Sequence, residues 1–147
     1  MTQTVRYQKL DNRAVAPHYG SADAAGADLY AVMDEPLTLQ PGQTLLVHTG
    51  LAVEIPAGFV GLVCARSGLA TKRGLAPANK VGVIDADYRG EIMVALHNHS
   101  SQAQTIEHGE RVAQLLLIPY LTAVYEQADS LTETDRGAGG FGSTGTK

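Results

Sequence analysis

Glycine and proline residues interrupt this sequence so often that a helix of ordinary length has almost nowhere to form. The interruptions include Pro36, Pro41, Gly42, Gly50, Pro56, Gly58, Gly68, Gly74, Gly90, Gly109 and Pro119. Both residue types weaken regular elements and favour turns. The segments between them are short and rich in apolar and β-branched residues, namely 44–49, 51–55, 59–64, 92–97, 111–118 and 123–126. Short strands separated by turns predict an all-β sandwich or barrel.

Only one segment has helical character. Ser67 is placed to cap a first turn and Gly74 to end the last one, so we expect a short helix over residues 67–72. The length of 147 residues suits one globular domain, to which we assign residues 1–128. Residues 129–147 have little to bury, and five of the last eleven residues are glycines. We expect a mobile arm in which Phe141 docks on another surface; a tail without a role is the alternative.

Charge and composition exclude several classes of protein. Eleven Lys and Arg against fifteen Asp and Glu give a formal charge of -4, which argues against a binder of long nucleic acids or anionic membranes. No apolar run approaches the ~18 residues of a membrane span. The single Cys64 excludes an internal disulfide, and the first residues lack the apolar core of a signal peptide. We therefore expect an intracellular, cytoplasmic protein.

Two glycine motifs in the arm resemble nucleotide-binding signatures without their structural context. Residues 137–142 match G-x-G-x-x-G, and residues 140–147 approach a P-loop, but only five residues follow Gly142. Both signatures need a helix after them. What remains is a glycine-rich segment whose N–H groups and hydroxyls can wrap a phosphate. His97 and His99 lack further Cys or His residues nearby, so we expect no structural zinc.

Five of the eleven cationic residues lie between Arg66 and Arg89. Most such runs form a solvated basic surface. The tripeptide Arg66-Ser67-Gly68 nevertheless combines a guanidinium, a hydroxyl and a flexible backbone N–H at a predicted helix start, which is the chemistry of an anion-binding site. We expect a phosphate group to bind there.

Three polar residues stand out in apolar surroundings. Asx turns in a hairpin are the simpler explanation of Asp85, but this residue directly follows an apolar pair and can hold and deprotonate a water at the mouth of a pocket. Asp28 lies in a small apolar stretch and needs a partner, either a cation or a metal-bound water. Gln114 interrupts the apolar run 112–118, and a strand-end hydrogen bond is its simplest explanation.

Five ordered motifs carry a family resemblance. They are AGADLYA at 25–31, RSGLATKRG at 66–74, GVIDADYRGEI at 82–92, GERVAQLLL at 109–117 and RGAGGFGSTG at 136–145. Together they resemble the trimeric dUTP pyrophosphatases and span nearly the whole chain. The resemblance implies a jelly-roll-like β-barrel with one short helix and a flexible arm. It also implies an enzyme that hydrolyses dUTP to dUMP and pyrophosphate, which keeps uracil out of DNA and supplies dUMP for thymidylate synthesis.

The resemblance assigns roles in the reaction to the three polar residues. Asp85 matches the general base that orients a water for in-line attack on the α-phosphorus. Asp28 matches the acid that holds Mg²⁺ through coordinated water, while the triphosphate supplies oxygen ligands. The phosphate-binding positions of the family correspond to Arg66, Ser67, Gly68 and Gln114. Positioning and charge neutralisation should supply most of the rate enhancement.

The resemblance also indicates which residues recognise the nucleoside and which residues close over the site. Asn79 and the backbone of residues 83–85, which includes Val83 and Ile84, match the pocket that recognises uracil, and Met93 matches a nucleotide contact. Tyr88 matches the aromatic residue beneath the deoxyribose, which leaves no room for a 2′-hydroxyl. The arm residues that would close over the nucleotide are Arg136, Phe141, Gly142, Ser143 and Thr144. The resemblance also implies a homotrimer with shared active sites.

Two other functions remain open from the sequence. A dCTP deaminase-like enzyme resembles the chain less well, because that class has a different second motif and a glutamate base and lacks this arm. A non-catalytic nucleotide-binding β-module is the other alternative, although intact Asp28 and Asp85 argue against it. Neither the residue pattern nor the family resemblance assigns a role to residues 71–73 and 75–78.

Overall fold

The alternating segments of the sequence form an all-β fold. The computed structural model describes residues 3–141, and 41% of these residues are in strands. The eleven strands are β1 (Arg6–Lys9), β2 (His18–Tyr19), β3 (Ala27–Tyr30), β4 (Leu37–Leu39), β5 (Thr44–Glu54), β6 (Phe59–Cys64), β7 (Leu75–Pro77), β8 (Val81–Ile84), β9 (Glu91–Asn98), β10 (Gln104–Ile106) and β11 (Arg111–Pro119). The single helix of the described residues, α1 (Ser67–Arg73), lies between β6 and β7.

The strands form three antiparallel sheets. One sheet has the order β2-β3-β11-β6-β8, a second has the order β1-β5-β9-β7, and β4 pairs with β10. Most hydrogen-bonded neighbours are distant in sequence, as in a jelly roll. The predicted jelly-roll-like class is therefore confirmed, although the sheets are not closed by hydrogen bonds into one barrel.

Aliphatic side chains from both large sheets form the core. In β9 alternate residues point inward, so that Ile92, Val94 and Leu96 are completely buried. Residues of β3, β5 and β11 complete the same cluster, which contains Leu29, Val47 and Val112. No Phe, Tyr or Trp is among its fully buried members in the described chain. The buried core is therefore packed from Val, Leu, Ile and Ala side chains.

Gly50 does not separate two strands as we expected. Segments 44–49 and 51–55 form one strand, β5, and its pairing with β9 shifts register between His48 and Ala52. Gly50 has a φ of 66° at this bulge. A Cβ there would lie 3.0 Å from the Cβ atoms of Ala14 and Asp11. The glycine therefore bends a continuous strand rather than ending it.

The short helix is present, with one change at its start. Helix α1 spans Ser67–Arg73, and its N-cap is Arg66, without a side-chain cap hydrogen bond. The expectation that Ser67 caps the helix is therefore wrong, because Ser67 is already helical. Gly74 ends the helix with a φ of 66°, as predicted. A Cβ at Gly74 would lie 2.9 Å from the backbone nitrogen of Ser100, so the close approach also requires glycine.

Beyond Pro119 the described chain contains neither helix nor strand. The strand predicted over 123–126 is wrong, because Val124 and Tyr125 are each 95% exposed and no neighbouring strand pairs with them. A single strand without a partner has no ladder to satisfy its backbone. The boundary between residues 128 and 129 stays a prediction. Within residues 3–141, no helix is long and apolar enough to cross a membrane.

Candidate functional site

A cavity of about 320 Å³ lies beside the turn that joins β8 to β9. These strands do not form the hairpin expected from the sequence, because β8 pairs with β6, and β9 pairs with β5 and β7 of another sheet. Six residues predicted to contact the nucleotide line the cavity: Asn79, Val83, Ile84, Asp85, Tyr88 and Met93. The wall is completed by Leu46, Val63, Pro77, Gly82, Glu91, Val94 and Ala95. The structure therefore brings together the predicted base-binding residues, the predicted sugar contact and the predicted general base. The size and the mixed polar and apolar wall suit a small ligand.

The turn that carries Asp85 is closed by its own backbone and by Arg89. The N–H of Tyr88 donates to the carbonyl of Asp85 at 3.1 Å. Arg89 Nη1 donates to the carbonyls of Ala86 at 2.7 Å and of Tyr88 at 2.9 Å. The exposed Asp85 also borders a second cavity, formed with Phe59, Val60 and Tyr120. Its carboxylate is thus held at the surface where water reaches it.

Tyr88 is fixed across the cavity mouth. Its hydroxyl donates to the carbonyl of Glu91 at 2.8 Å. A Cβ at Gly90 would overlap the Tyr88 hydroxyl oxygen and lie 2.6 Å from Cζ. The absence of a side chain at Gly90 therefore lets the ring lie flat against the turn. A ring that is held by its backbone and by its hydroxyl cannot easily move aside, so it would exclude a ligand whose atoms overlap it.

Asn79 lies on the turn before β8. Lys80 has a left-handed φ of 66°, and the N–H of Val81 donates to the carbonyl of Asn79 at 2.7 Å. A Cβ at Gly82 would lie 3.1 Å from the Cβ of Val63 and 3.4 Å from Asn79 Nδ2. Gly82 therefore keeps space beside the amide. An amide group next to open backbone can both donate and accept hydrogen bonds to a planar base.

A second group of site residues surrounds Asp28 on β3. Asp28 is only 8% exposed, and its two carboxylate oxygens accept from Arg66 Nε at 2.8 Å and from Arg111 Nη1 at 3.1 Å. The sequence left open whether Asp28 pairs with a cation or a metal-bound water, and in this structure its partners are cations. Arg111 was missed by the sequence analysis. The sequence could have indicated Arg111, because a buried carboxylate needs a cationic partner and Arg111 lies in one of the five motifs.

Gln114 is held beside this ion cluster. Its Nε2 donates to the carbonyl of Ala65 at 2.9 Å, which is the strand-end bond that the sequence suggested. A Cβ at Gly26 would overlap Gln114 Oε1 and lie 3.0 Å from its Cδ. The glycine of AGADLYA thus makes room for the amide. Through Ala65, the amide is linked to the chain immediately before Arg66.

The strands β3, β11, β6 and β8 of one sheet separate the two groups of residues, which do not share a cavity. Asp28 pairs in register with Gln114, Gln114 with Cys64, and Cys64 with Val81. Three strand spacings of about 4.8 Å put the backbones of Asp28 and Val81 about 14 Å apart. Neither Arg66 nor Gln114 is among the residues that line the first cavity. One chain therefore carries two partial sites.

The described chain contains no group of three or more His, Cys, Asp or Glu side chains that could hold a metal ion. A metal bound mainly by protein ligands does not fit this donor set. Mg²⁺ normally keeps several waters and binds through one or two carboxylates plus phosphate oxygens. The carboxylate of Asp28 retains acceptor capacity beside its two guanidinium partners. It therefore fits a hydrated ion whose other ligands come from a phosphate chain.

Of the predicted arm residues, Arg136 and Phe141 do not line the cavity. Arg136 Nε donates to the carbonyl of Gly139 at 2.8 Å, and Phe141 is fully exposed with a φ of 50°. Gly142, Ser143 and Thr144 lie outside the described residues. The roles assigned to these five residues stay predictions.

Comparison with known proteins gives the family context. A family model described as dUTPase matches residues 12–145. The chain is 50% identical over 142 residues to a deoxyuridine 5'-triphosphate nucleotidohydrolase of Desulfitobacterium hafniense, covering 96% of this chain and 94% of that protein. It is 45% identical over 141 residues to the protein of the same description from Acinetobacter baylyi, covering 95% and 94%. A solved structure of the dUTPase of Staphylococcus bacteriophage 80alpha with dUpNHpp superposes with a TM-score of 0.90 at 29% identity, covering 98% and 99% of the two chains.

Proposed function

The chain belongs to the dUTPase family, and we propose that it hydrolyses dUTP to dUMP and pyrophosphate with Asp85 as the general base. The observation that carries the proposal is the cavity beside the turn between β8 and β9. It joins a hydrogen-bonding amide from the turn before β8 with an exposed carboxylate and a fixed aromatic ring from the turn after β8. This reaction would supply dUMP and would remove dUTP from the nucleotides available for DNA synthesis.

The cavity supplies the specificity. Asn79 and the backbone beside Gly82 offer donors and acceptors to the polar edge of uracil, so cytosine would leave buried polar groups unpaired. Rejection on hydrogen-bond pattern is worth more than rejection of one extra methyl group, which gives only about 10- to 200-fold. The Tyr88 ring, held by the carbonyl of Glu91, would pack beneath the deoxyribose and exclude a 2′-hydroxyl.

Asp85 supplies the proton acceptor. Its carboxylate takes a proton from the attacking water as the water oxygen bonds to the α-phosphorus, and the bond from that phosphorus to the bridging oxygen breaks. Pyrophosphate leaves, and the new oxygen stays on dUMP. The hydrogen bonds of Arg89 and Tyr88 hold the turn during this step, so little reorganisation of the carboxylate is needed.

The residues around Asp28 supply the phosphate-binding part. Arg66 and Arg111 are oriented by the shared carboxylate, and Gln114 lies beside them. Mg²⁺, when bound, would neutralise phosphate charge, with Asp28 holding it through coordinated water. The arm residues Arg136 and Phe141 would then cover the phosphates and the base.

We also propose a homotrimer with shared active sites and a cytoplasmic location. Because the cavity and the phosphate-binding residues are two partial sites in one chain, a complete site calls for a neighbouring copy. The segment after Pro119 supports this, since several large apolar side chains there are almost fully exposed: Leu121, Val124, Tyr125 and Leu131. Burying them against another copy would remove an unfavourable exposed surface.

The test is release of pyrophosphate from a panel of dUTP, dCTP, dTTP and UTP, with and without Mg²⁺. We expect turnover of dUTP, and Asp85→Asn should reduce kcat by about 10²- to 10⁴-fold. Asp87→Asn is the matched control, because it removes an exposed carboxylate from the same turn and should leave kcat nearly unchanged. Ammonia release from dCTP would instead indicate a deaminase, and calorimetric binding of dUTP without turnover would indicate a non-catalytic module.

A further inference from the structure

Helix α1 carries two of the proposed phosphate contacts, Ser67 and Gly68, and a third, Arg66, is its N-cap, although the helix cannot be stable by itself. It has seven residues, and Leu69 is its only buried one. Isolated helices shorter than about 12 residues are marginal in water. The positions of Ser67 and Gly68 therefore depend on what fixes the helix to the rest of the protein.

The start of α1 is fixed by the ion cluster already described. Arg66 precedes the helix and binds Asp28, which also binds Arg111 at the beginning of β11. This contact alone would leave the other end of the helix free to pivot. Leu69 lies near the middle of the helix and provides one apolar contact with the core.

The end of α1 has an equally specific attachment. Arg73 Nη1 donates to Glu110 Oε2 at 2.7 Å, Nε donates to Gln104 Oε1 at 3.2 Å, and Nη2 donates to the carbonyl of Thr105. Arg73 and Glu110 are each only about one third exposed, at 31% and 33%. The guanidinium thus uses three of its N–H groups on a partly buried surface.

Glu110 is itself held in place. Its Oε1 accepts from the N–H of Glu107 at 3.1 Å, and its carbonyl accepts from the N–H of Ala31 at 2.8 Å. Glu110 immediately precedes β11, and Arg111 is the first residue of that strand. The two ends of the helix are therefore attached to consecutive residues, one to Glu110 through Arg73 and the other to Arg111 through Asp28.

We propose that Arg73 is a positioning residue that sets the orientation of the phosphate-binding residues Arg66, Ser67 and Gly68. This inference rests on the proposed function of α1. Arg73 is directed towards Glu110 and the β10 segment, so it acts on the phosphates only through the helix. The charge of Arg73 is already paired with Glu110, which separates this role from general attraction of an anion.

The experiment compares Arg73→Met with Lys72→Met in the full chain. Lys72 is the adjacent residue of the same helix, carries the same charge and is exposed. We expect Arg73→Met to raise the KM for dUTP about tenfold and Lys72→Met to change it less than about twofold. Deoxyuridine has no phosphate, so its inhibition constant should stay the same in both variants. Amide hydrogen exchange of residues 67–70 should become faster only in Arg73→Met.

Two further variants separate positioning from a failure to fold. Arg73→Lys keeps the positive charge but loses the planar guanidinium with its several donors. Its KM for dUTP should lie between those of wild type and Arg73→Met. The reversed pair, Arg73→Glu with Glu110→Arg, should recover part of the affinity that each single change removes. An unchanged KM in folded Arg73→Met, or an equal loss of affinity for dUTP and deoxyuridine, overturns the inference. Failure of the wild-type protein to bind or hydrolyse dUTP would instead contradict the proposed function, and the inference with it.

Discussion

Gly26 gives the most direct test of how the phosphate-binding residues are assembled. The change Gly26→Ala places a methyl group where the Gln114 side chain lies, overlapping Oε1 and only 3.0 Å from Cδ and 3.2 Å from Cβ. The amide has to move, and its hydrogen bond to the carbonyl of Ala65 is then lost. Gly26 has no left-handed φ, so the expected effect comes from this overlap and not from backbone strain.

The magnitude follows from two contributions. Overpacking typically costs 1–3 kcal/mol and a lost hydrogen bond about 1 kcal/mol, so we expect a destabilisation of about 2–4 kcal/mol. For a chain of this size that corresponds to a fall in Tm of roughly 5–15 °C. The KM for dUTP should also rise, because the displaced amide no longer fixes the chain before Arg66.

The assay is thermal and denaturant unfolding at equal protein concentration, since unfolding of an oligomer depends on concentration. Gly20→Ala is the matched control, because a Cβ at Gly20 meets nothing within 4 Å. A Gly26→Ala protein that unfolds within about 0.5 kcal/mol of wild type and keeps the wild-type KM would refute the reasoning. The amide of Gln114 would then not need the space beside Gly26.

Two further predictions concern the sugar and the pH dependence of stability. Tyr88→Ala should raise kcat/KM for UTP relative to dUTP, while Tyr88→Phe, which keeps the ring, should retain most of the discrimination; an unchanged UTP to dUTP ratio in the Ala variant argues against a steric role. Hydrogen bonds from Arg13 lower the pKa of Asp11 from 3.8 to about 2. This pair should therefore stabilise the fold above pH 3.8, and the contribution should disappear as pH falls towards 2. Unfolding of wild type and Asp11→Asn from pH 7 to 2 measures it, and a difference that persists unchanged at pH 2 contradicts the assignment.

The fold could be predicted where a pattern has one structural solution. Alternation with inward β-branched and aliphatic residues predicted β6, β9 and β11, and the glycine after a short helical segment predicted the end of α1. Gly50 could not be resolved in this way, because a left-handed glycine serves a bulge within a strand as well as a turn between strands. The segment 123–126 has strand-like residues but no partner strand among residues 3–141, and sequence alone does not supply a partner.

The candidate site likewise has residues that could be predicted from the sequence and contacts that could not. Residues such as Asn79, Asp85 and Tyr88 are close in sequence, and the structure joins them in one cavity. Arg111 was not predicted, since its contact with Asp28 spans 83 positions of sequence and depends on the pairing of β3 with β11. Likewise, nothing in the sequence indicated that Arg89 closes the turn at Asp85.

The distribution of cations bears on how an acidic chain could hold a triphosphate. The run from Arg66 to Arg89 suggested a local concentration of positive charge, but Arg73 pairs with Glu110, and Arg89 binds backbone carbonyls of its own turn and lies 3.8 Å from Glu54. Around Asp28, two guanidiniums and one carboxylate leave a single net positive charge. One such charge does not balance the several charges of a nucleoside triphosphate. The remaining positive charge has to come from a bound cation, from backbone N–H groups and from the arm or a second copy of the chain. The same shortage of charge therefore supports both the proposal of Mg²⁺ and the proposal of shared sites.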